Sequence, residues 1–215
     1  MSDSTEKIQW HPAFYDAISA ELDEYRQYLN IIPERQLTTE PLRMDLLVIK
    51  KLKDVKIEKN IAQIFRHDNI LEYKSPDDSL TTDDYNKVFG YAYLYACLEK
   101  LNIWDITISF VTAAHPDNVL AYLNKRTQIR VVKISEGIYH IHNEIMPVQI
   151  LVTKRLKQEE NLWLSSLTDK ITGSHFEEVI RERQNLSTSI NALLYALSVA
   201  NPAALKQSGD MSISK

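Results

Sequence analysis

The chain has 215 residues, 44% of them hydrophobic and 25% charged, with a formal net charge of −4; this is the profile of an ordinary globular protein long enough for one well-buried core. The acidic balance argues against broad, charge-driven nucleic-acid binding, so contact with a polyanion requires a local basic patch or a bound cation. No apolar run reaches the roughly 20 residues of a membrane span, the start "MSDSTEKIQW" lacks the apolar core of a secretory signal, and the single Cys97 cannot form an intramolecular disulfide; a cytoplasmic setting without membrane association is expected.

In chain order, "HPAFYDAISAELDEYRQYLN" (11–30) predicts the first helix, with Pro12 in its first turn and Phe14, Ala17, Ile18 and Tyr25 on one stripe. Glu21 falls on the same stripe, either buried with a partner or at an edge that reaches water. Pro33 and Pro41 bracket the extended segment "ERQLTTE". "RMDLLVIKK" (43–51) predicts a strand with Met44, Leu46 and Val48 on one face and Asp45, Leu47 and Ile49 on the other. "KKLKDVKIEK" (50–59) reads as a solvated hairpin or, alternatively, a basic patch. "IAQIFRHDNILEYK" (61–74) reads as two short strands or one bent strand, closed by the loop "SPDDSL".

A helix follows from Thr81 or Thr82, with Asp83 and Asp84 suited to its positive end. Within it Cys97 is expected in the core, and Tyr91, Tyr93 and Tyr95 in helix packing. "WDITISFVTA" predicts a strand and "PDNVLAYLNK" a short helix. "TQIRVVKIS", "GIYHIHN" and "MPVQILVTK" predict three more strands. From about residue 157 the pattern turns helical. "KQEENLWLSSLTDKI" ends at Gly173, Ser174 with Glu177 forms a capping box, Ser187 caps the next helix, and Pro202 stops it. The expected fold is α/β: a mixed sheet flanked by helices over residues 8–155, a C-terminal helical extension over 156–205, and a disordered tail over 206–215.

The chemistry concentrates in "NILEYKSPDD". Ile70, Glu72 and Lys74 share one strand face, opposite Leu71 and Tyr73. A carboxylate and an ammonium on one side of an apolar strand are either a local ion pair on a solvated face or half of a metal site. If the strand bearing Asp45 is a neighbour, Asp45 and Glu72 converge at one sheet edge and offer the oxygen ligands that Mg²⁺ or Mn²⁺ prefers. A nearby lysine then stabilises developing negative charge. His140 and His142, alternating on one strand face, lack a third ligand at useful spacing and read as an exposed face. His67 and His115 read as surface residues. No Gly-x-Ser-x-Gly elbow or phosphate-binding glycine loop occurs.

Glu21 on the first helix, Asp45 on a strand and Glu72-Tyr73-Lys74 on the next, followed by a helix, resemble the PD-(D/E)XK nuclease superfamily. "NILEYKSPDDSLTTDDYNKVFGYAYLY" is similar to its bacterial branch of nuclease-family transposases. The resemblance covers about residues 10–113 and implies a restriction-endonuclease-like αβββαβ core. It implies that Asp45 and Glu72 ligate Mg²⁺ or Mn²⁺, with the Tyr73 carbonyl as a further ligand and Glu21 completing the shell. Lys74 would position the nucleophilic water, and Lys87 and Tyr91, four residues apart on one helix face, would contact substrate. Met44 stands where the proline that names the superfamily is expected, a position with no role in ligation.

Two functions of different class follow. The first is a metal-dependent DNA endonuclease using Asp45, Glu72 and Lys74, completed by a homodimer or another partner for grip on DNA, with Arg126, Arg130 and Lys133 as further basic residues on a strand face. The second is a nuclease-fold interaction or regulatory module with weak or no cleavage, for which the acidic charge and the C-terminal helices supply a surface. A plain structural domain with Glu72–Lys74 as an exposed ion pair is the third, and such pairs contribute only about 0–1 kcal/mol.

Overall fold

A computed structural model describes residues 8–33 and 46–207. The elements run α1 (Trp10–Glu21), β1 (Leu29–Ile32), β2 (Leu46–Lys51), β3 (Asp68–Lys74), α2 (Thr82–Glu99), β4 (Ile106–Thr112), α3 (Asp117–Asn124), β5 (Arg130–Ser135), β6 (Ile138–His142), β7 (Val148–Val152), α4 (Leu162–Ser165), α5 (Gly173–Glu182), α6 (Asn191–Ala200) and α7 (Pro202–Gln207). The strands form one mixed sheet in the order β1-β2-β3-β4-β7-β6-β5. The β3–β4 and β4–β7 pairs are parallel, and the other four are antiparallel. Parallel central strands need cover on both faces, and β4 and β7 are buried along their whole length.

The two faces hold separate cores. Leu47, Ile49, Leu71, Tyr73, Val111 and Leu151 point to α1 and the C-terminal helices. Val48, Ile70, Ile108, Phe110 and Ile150 point to α2 and α3. Strand alternation sorts these side chains, as the hydrophobic pattern of β2 predicts. Residues 156–205 are thus the cover of one sheet face rather than an appendage to it.

Several boundaries differ from expectation. The first helix stops at Glu21; residues Asp23–Tyr28 tighten into a 3₁₀ turn, and Leu29–Ile32 becomes an edge strand against Val48–Lys51. "IAQIF" is no strand, because Asn60–Ala62 forms a 3₁₀ turn whose Ile61 carbonyl accepts from Gln149 at 2.7 Å. In "KQEENLWLSSLTDKI" only Leu162–Ser165 is α-helical. Thr172, not Ser174, caps α5 by accepting from His175 N. α6 ends at Ala200, just before Pro202 as expected, and Pro202 opens a further short helix, α7, in keeping with proline's preference for a first turn. Cys97 is exposed: it lies off the stripe of Val88, Ala92, Tyr95 and Ala96 that α2 buries. The predicted segment "ERQLTTE" and most of the predicted tail lie outside the described residues.

The expected place of Glu21 in a metal shell is also corrected. Glu21 is buried on the α1 side of the sheet. Its Oε2 accepts from Trp163 N at 3.0 Å and Leu164 N at 2.9 Å, and its Oε1 meets Lys59 Nζ at 2.6 Å. It caps α4, satisfying amides that a helix start leaves open. Burial pushes its carboxyl above the usual range against the opposing pull of Lys59 and the two amides. Removing one partner of a buried, hydrogen-bonded pair costs about 3–5 kcal/mol. Glu21→Ala is expected to lose stability on that order in chemical denaturation, with Glu21→Gln losing less because it keeps an acceptor for the two amides; equal losses would contradict the capping role.

Candidate functional site

The carboxyl ends of β3 and β4 lie together, because the two strands are parallel, with Glu72 beside Phe110 and Lys74 beside Thr112. Such ends are where open α/β sheets bind ligands. Glu72 and Lys74 follow Ile70 on the α2 face of β3. The face is not solvated: Glu72 is 7% exposed and the strand is buried up to Lys74.

The first turn of α2 completes the surroundings. Thr81 caps the helix by accepting from Asp84 N, while Asp84 accepts from Thr81 N, a reciprocal capping box. That box aims the Asp84 carboxylate at β3. Lys74 Nζ donates to Asp84 Oδ1 at 2.9 Å and lies 3.5 Å from Glu72 Oε1 and 3.6 Å from Asp78 Oδ2. Lys87 Nζ is 3.3 Å from Asp84 Oδ1 with its side chain half exposed.

Burial pushes the Glu72 carboxyl above the usual carboxylate range, against the pull of Lys74 and Lys87. Burial also opposes the charge on Lys74, yet the Asp84 hydrogen bond and the Glu72, Asp84 and Asp78 charges together raise its pKa. For Asp84, hydrogen bonds from Thr81 and Lys74 outweigh desolvation and hold the carboxyl at about 2. The site therefore sets two charges, Lys74 and Asp84, beside a Glu72 carboxyl that burial shifts upward.

The predicted residues divide accordingly. Glu72, Lys74 and Lys87 come together on one face. Tyr91 is half-buried against the α2-side core. Glu21 lies on the opposite face of the sheet. The Tyr73 side chain points to that opposite face too, stacked on Phe14 at 4.5 Å with its hydroxyl buried and unpartnered among the described residues. Asp45 lies outside the described residues; Leu46, which follows it, pairs with Glu72. Asp84 was legible only as a helix cap, since sequence carries no sign that the cap also holds Lys74.

For a divalent cation, Glu72 is a fitting hard oxygen donor. Among the described residues no three acidic, histidine or cysteine side chains gather as a metal cluster, so further ligands would have to come from Asp45 and main-chain carbonyls. Elsewhere, Arg126 pairs with Glu144 and Lys133 with Glu136, which spends two of the three basic residues considered for DNA contact. His140 is half-buried and its partner His142 exposed, with ring centroids 6.4 Å apart. No protein-family model matches the chain, and neither the curated proteins nor the solved structures yield a match. No helix among the described residues is long and apolar enough to cross a membrane.

The lowered Asp84 carboxyl carries a sign for stability. A carboxyl whose folded pKa lies below its unfolded value stabilises the fold above the unfolded pKa, and that contribution disappears as pH falls through the folded pKa. Here the window runs from 3.8 down to about 2. Thermal melts of Asp84→Asn are expected to fall less steeply than wild type across that window; parallel curves would mean Asp84 is not held as a carboxylate by Lys74 and Thr81.

Proposed function

We propose that the chain is a metal-dependent phosphodiesterase that hydrolyses DNA, with the restriction-endonuclease-like αβββαβ core that the sequence resemblance implies. The observation that carries this reading is the buried apposition of Glu72 and Lys74, 3.5 Å apart at the carboxyl end of β3. Support also comes from the element order α1-β1-β2-β3-α2-β4 and from the antiparallel pairing of β2 with β3. Asp45, Glu72 and the Tyr73 carbonyl are the residues that would hold Mg²⁺ or Mn²⁺. Such an ion supplies charge neutralisation of the phosphate and acidifies a water.

The remaining steps belong to side chains. Lys74 has three donors, of which one is committed to Asp84 at 2.9 Å while the contacts to Glu72 and Asp78 are longer. Those longer contacts are exchangeable for a phosphate oxygen or an attacking water. Lys87, half exposed and paired among the described residues with Asp84 at 3.3 Å, can turn to a neighbouring phosphate. Asp84 keeps the Lys74 ammonium charged while it does this.

One observation favours a second reading. Lys74 already has three carboxylates around it, an ion-pair cluster that holds α2 against β3 without any ligand. On that reading the protein is a binding module with no cleavage.

Calorimetric titration with Mg²⁺ and Mn²⁺, followed by plasmid nicking in the same buffer, separates the two. The nuclease reading expects binding that Glu72→Ala and Asp45→Ala abolish, and nicking that Lys74→Ala abolishes while metal binding stays near wild type. Nicking by Lys74→Ala at the wild-type rate would remove the role given to that lysine. Absent metal binding would leave the binding module. A second expectation follows from the raised Glu72 pKa: metal affinity should climb as pH rises above the usual glutamate value of 4.5, because the proton must leave before the carboxylate ligates. Affinity independent of pH in that range would exclude Glu72 as ligand.

A further inference from the structure

At the opposite end of β3 a cleft of about 450 Å³ opens between the β2–β3 connection and the turn before β4. Its basic side chains are Lys51, Lys53, Arg66 and His67, its acids Asp54 and Asp105, and one wall is Trp104. Trp104 is 56% exposed, a large apolar face in a basic setting.

The cationic side chains stand on a backbone that buried polar groups hold in place. Asn69, fully buried, spends its amide on this task. Its Oδ1 accepts from Arg66 N at 2.8 Å and from Thr107 Oγ1 at 2.6 Å, and its Nδ2 donates to the carbonyls of Arg66 and Ile49, each at 3.0 Å. Asp68, also fully buried, accepts from His67 Nδ1 through one oxygen and from the Tyr95 hydroxyl through the other, with Lys50 Nζ at 3.7 Å. That leaves Nε2 of His67 for the cleft. Lys51 N donates to the His67 carbonyl at 2.7 Å. Lys53 Nζ sits over the Tyr28 ring, 5.9 Å from its centroid. Arg66 gives one guanidinium hydrogen to the Trp104 carbonyl, which ties the cation to the indole's backbone and leaves four donors.

Burying polar groups is costly unless they are hydrogen-bonded. Here two of them are used to fix an exposed arginine and an exposed histidine beside an exposed tryptophan. Opposing acids are weak competitors: Asp54 meets Lys51 at 3.3 Å with a fully solvent-exposed carboxylate, an arrangement that contributes little. Fixed cations that track phosphates next to an aromatic face on which a base can stack are the chemistry of single-stranded nucleic-acid recognition.

We propose that this cleft binds a single nucleic-acid strand, with Arg66, Lys51 and Lys53 on its phosphates and a base stacked on Trp104. The assignment does not depend on the nuclease reading, because the cleft lies at the amino end of β3 and Glu72 and Lys74 near its carboxyl end.

The test uses the whole chain in EDTA, so that no divalent ion contributes, titrated with a twelve-residue oligothymidylate. Trp10 and Trp163 are buried at 5% and 7% exposure, so quenching of tryptophan fluorescence reports Trp104. Quenching is expected with wild type, and fluorescence anisotropy of the same oligonucleotide carrying a 5′-fluorescein is expected to give affinity at least tenfold weaker in Trp104→Ala and in the Lys53→Gln/Arg66→Gln double variant. The double variant should also lose about 0.7 for each contact removed from the slope of log affinity against log salt. Among the described residues Trp104 is hydrogen-bonded through its backbone, so Trp104→Ala keeps the test valid should the double variant misfold. Absence of quenching, unchanged affinity in Trp104→Ala, or equal affinity for thymidine monophosphate would each overturn the proposal.

Discussion

Two carboxylates on the first helix meet open helix starts from the other end of the chain, and a third, just after it, meets a loop amide there. Asp16 accepts from Ala192 N at 2.7 Å and Leu193 N at 3.1 Å at the start of α6. Glu21 does the same for α4, and Asp23 accepts from Ser187 N at 2.8 Å. The Asp16 and Glu21 pairings satisfy backbone donors that a helix cannot satisfy for itself, and a negative charge at that end is favoured by the helix dipole. With these helices anchored on α1, one sheet face is closed by a single layer. That layer leaves the other face to α2, whose first turn forms the Lys74 site.

This arrangement explains which parts of the fold were legible. Every described strand except β1 is foreseeable from apolar alternation, and α2 from its capping threonine, because those signals are local. The carboxylate caps are not local. Ser187 looks like a cap for the helix that follows, yet the oxygen that serves α6 belongs to Asp16, far away in sequence. Glu21 on an apolar stripe read as either buried with a partner or at an edge that reaches water, and sequence could not decide between these or between a metal and a pair of amides. Cys97 shows the converse: an apolar neighbourhood in sequence spans all sides of a helix, and α2 buries only one of them.

The candidate site was half legible. Alternation along β3 placed Glu72 and Lys74 on one face, and the structure adds that α2 covers it. What sequence could not supply was Asp84 as the group that fixes Lys74. The same face of β3 begins with buried Asp68 and ends with Lys74, so one strand carries ionic groups at both ends with Ile70 between them. Asp68 steadies His67 at one end, and Glu72 meets Lys74 at the other. The strand is rigid because both faces are packed, which fixes these two settings relative to each other.

The reach of the α1 carboxylates also sets an order of events as the chain is made. The partners of Glu21 lie 142 and 143 residues downstream, and those of Asp16 lie 176 and 177 downstream. At a synthesis rate of about 5–20 residues per second, α1 waits on the order of ten to thirty seconds before its last partner emerges from the ribosome. Throughout that interval its apolar stripe and the sheet face it shares with the late helices have no complete cover. Such long-range closure is slow and leaves apolar surface open to other chains until the last helix packs.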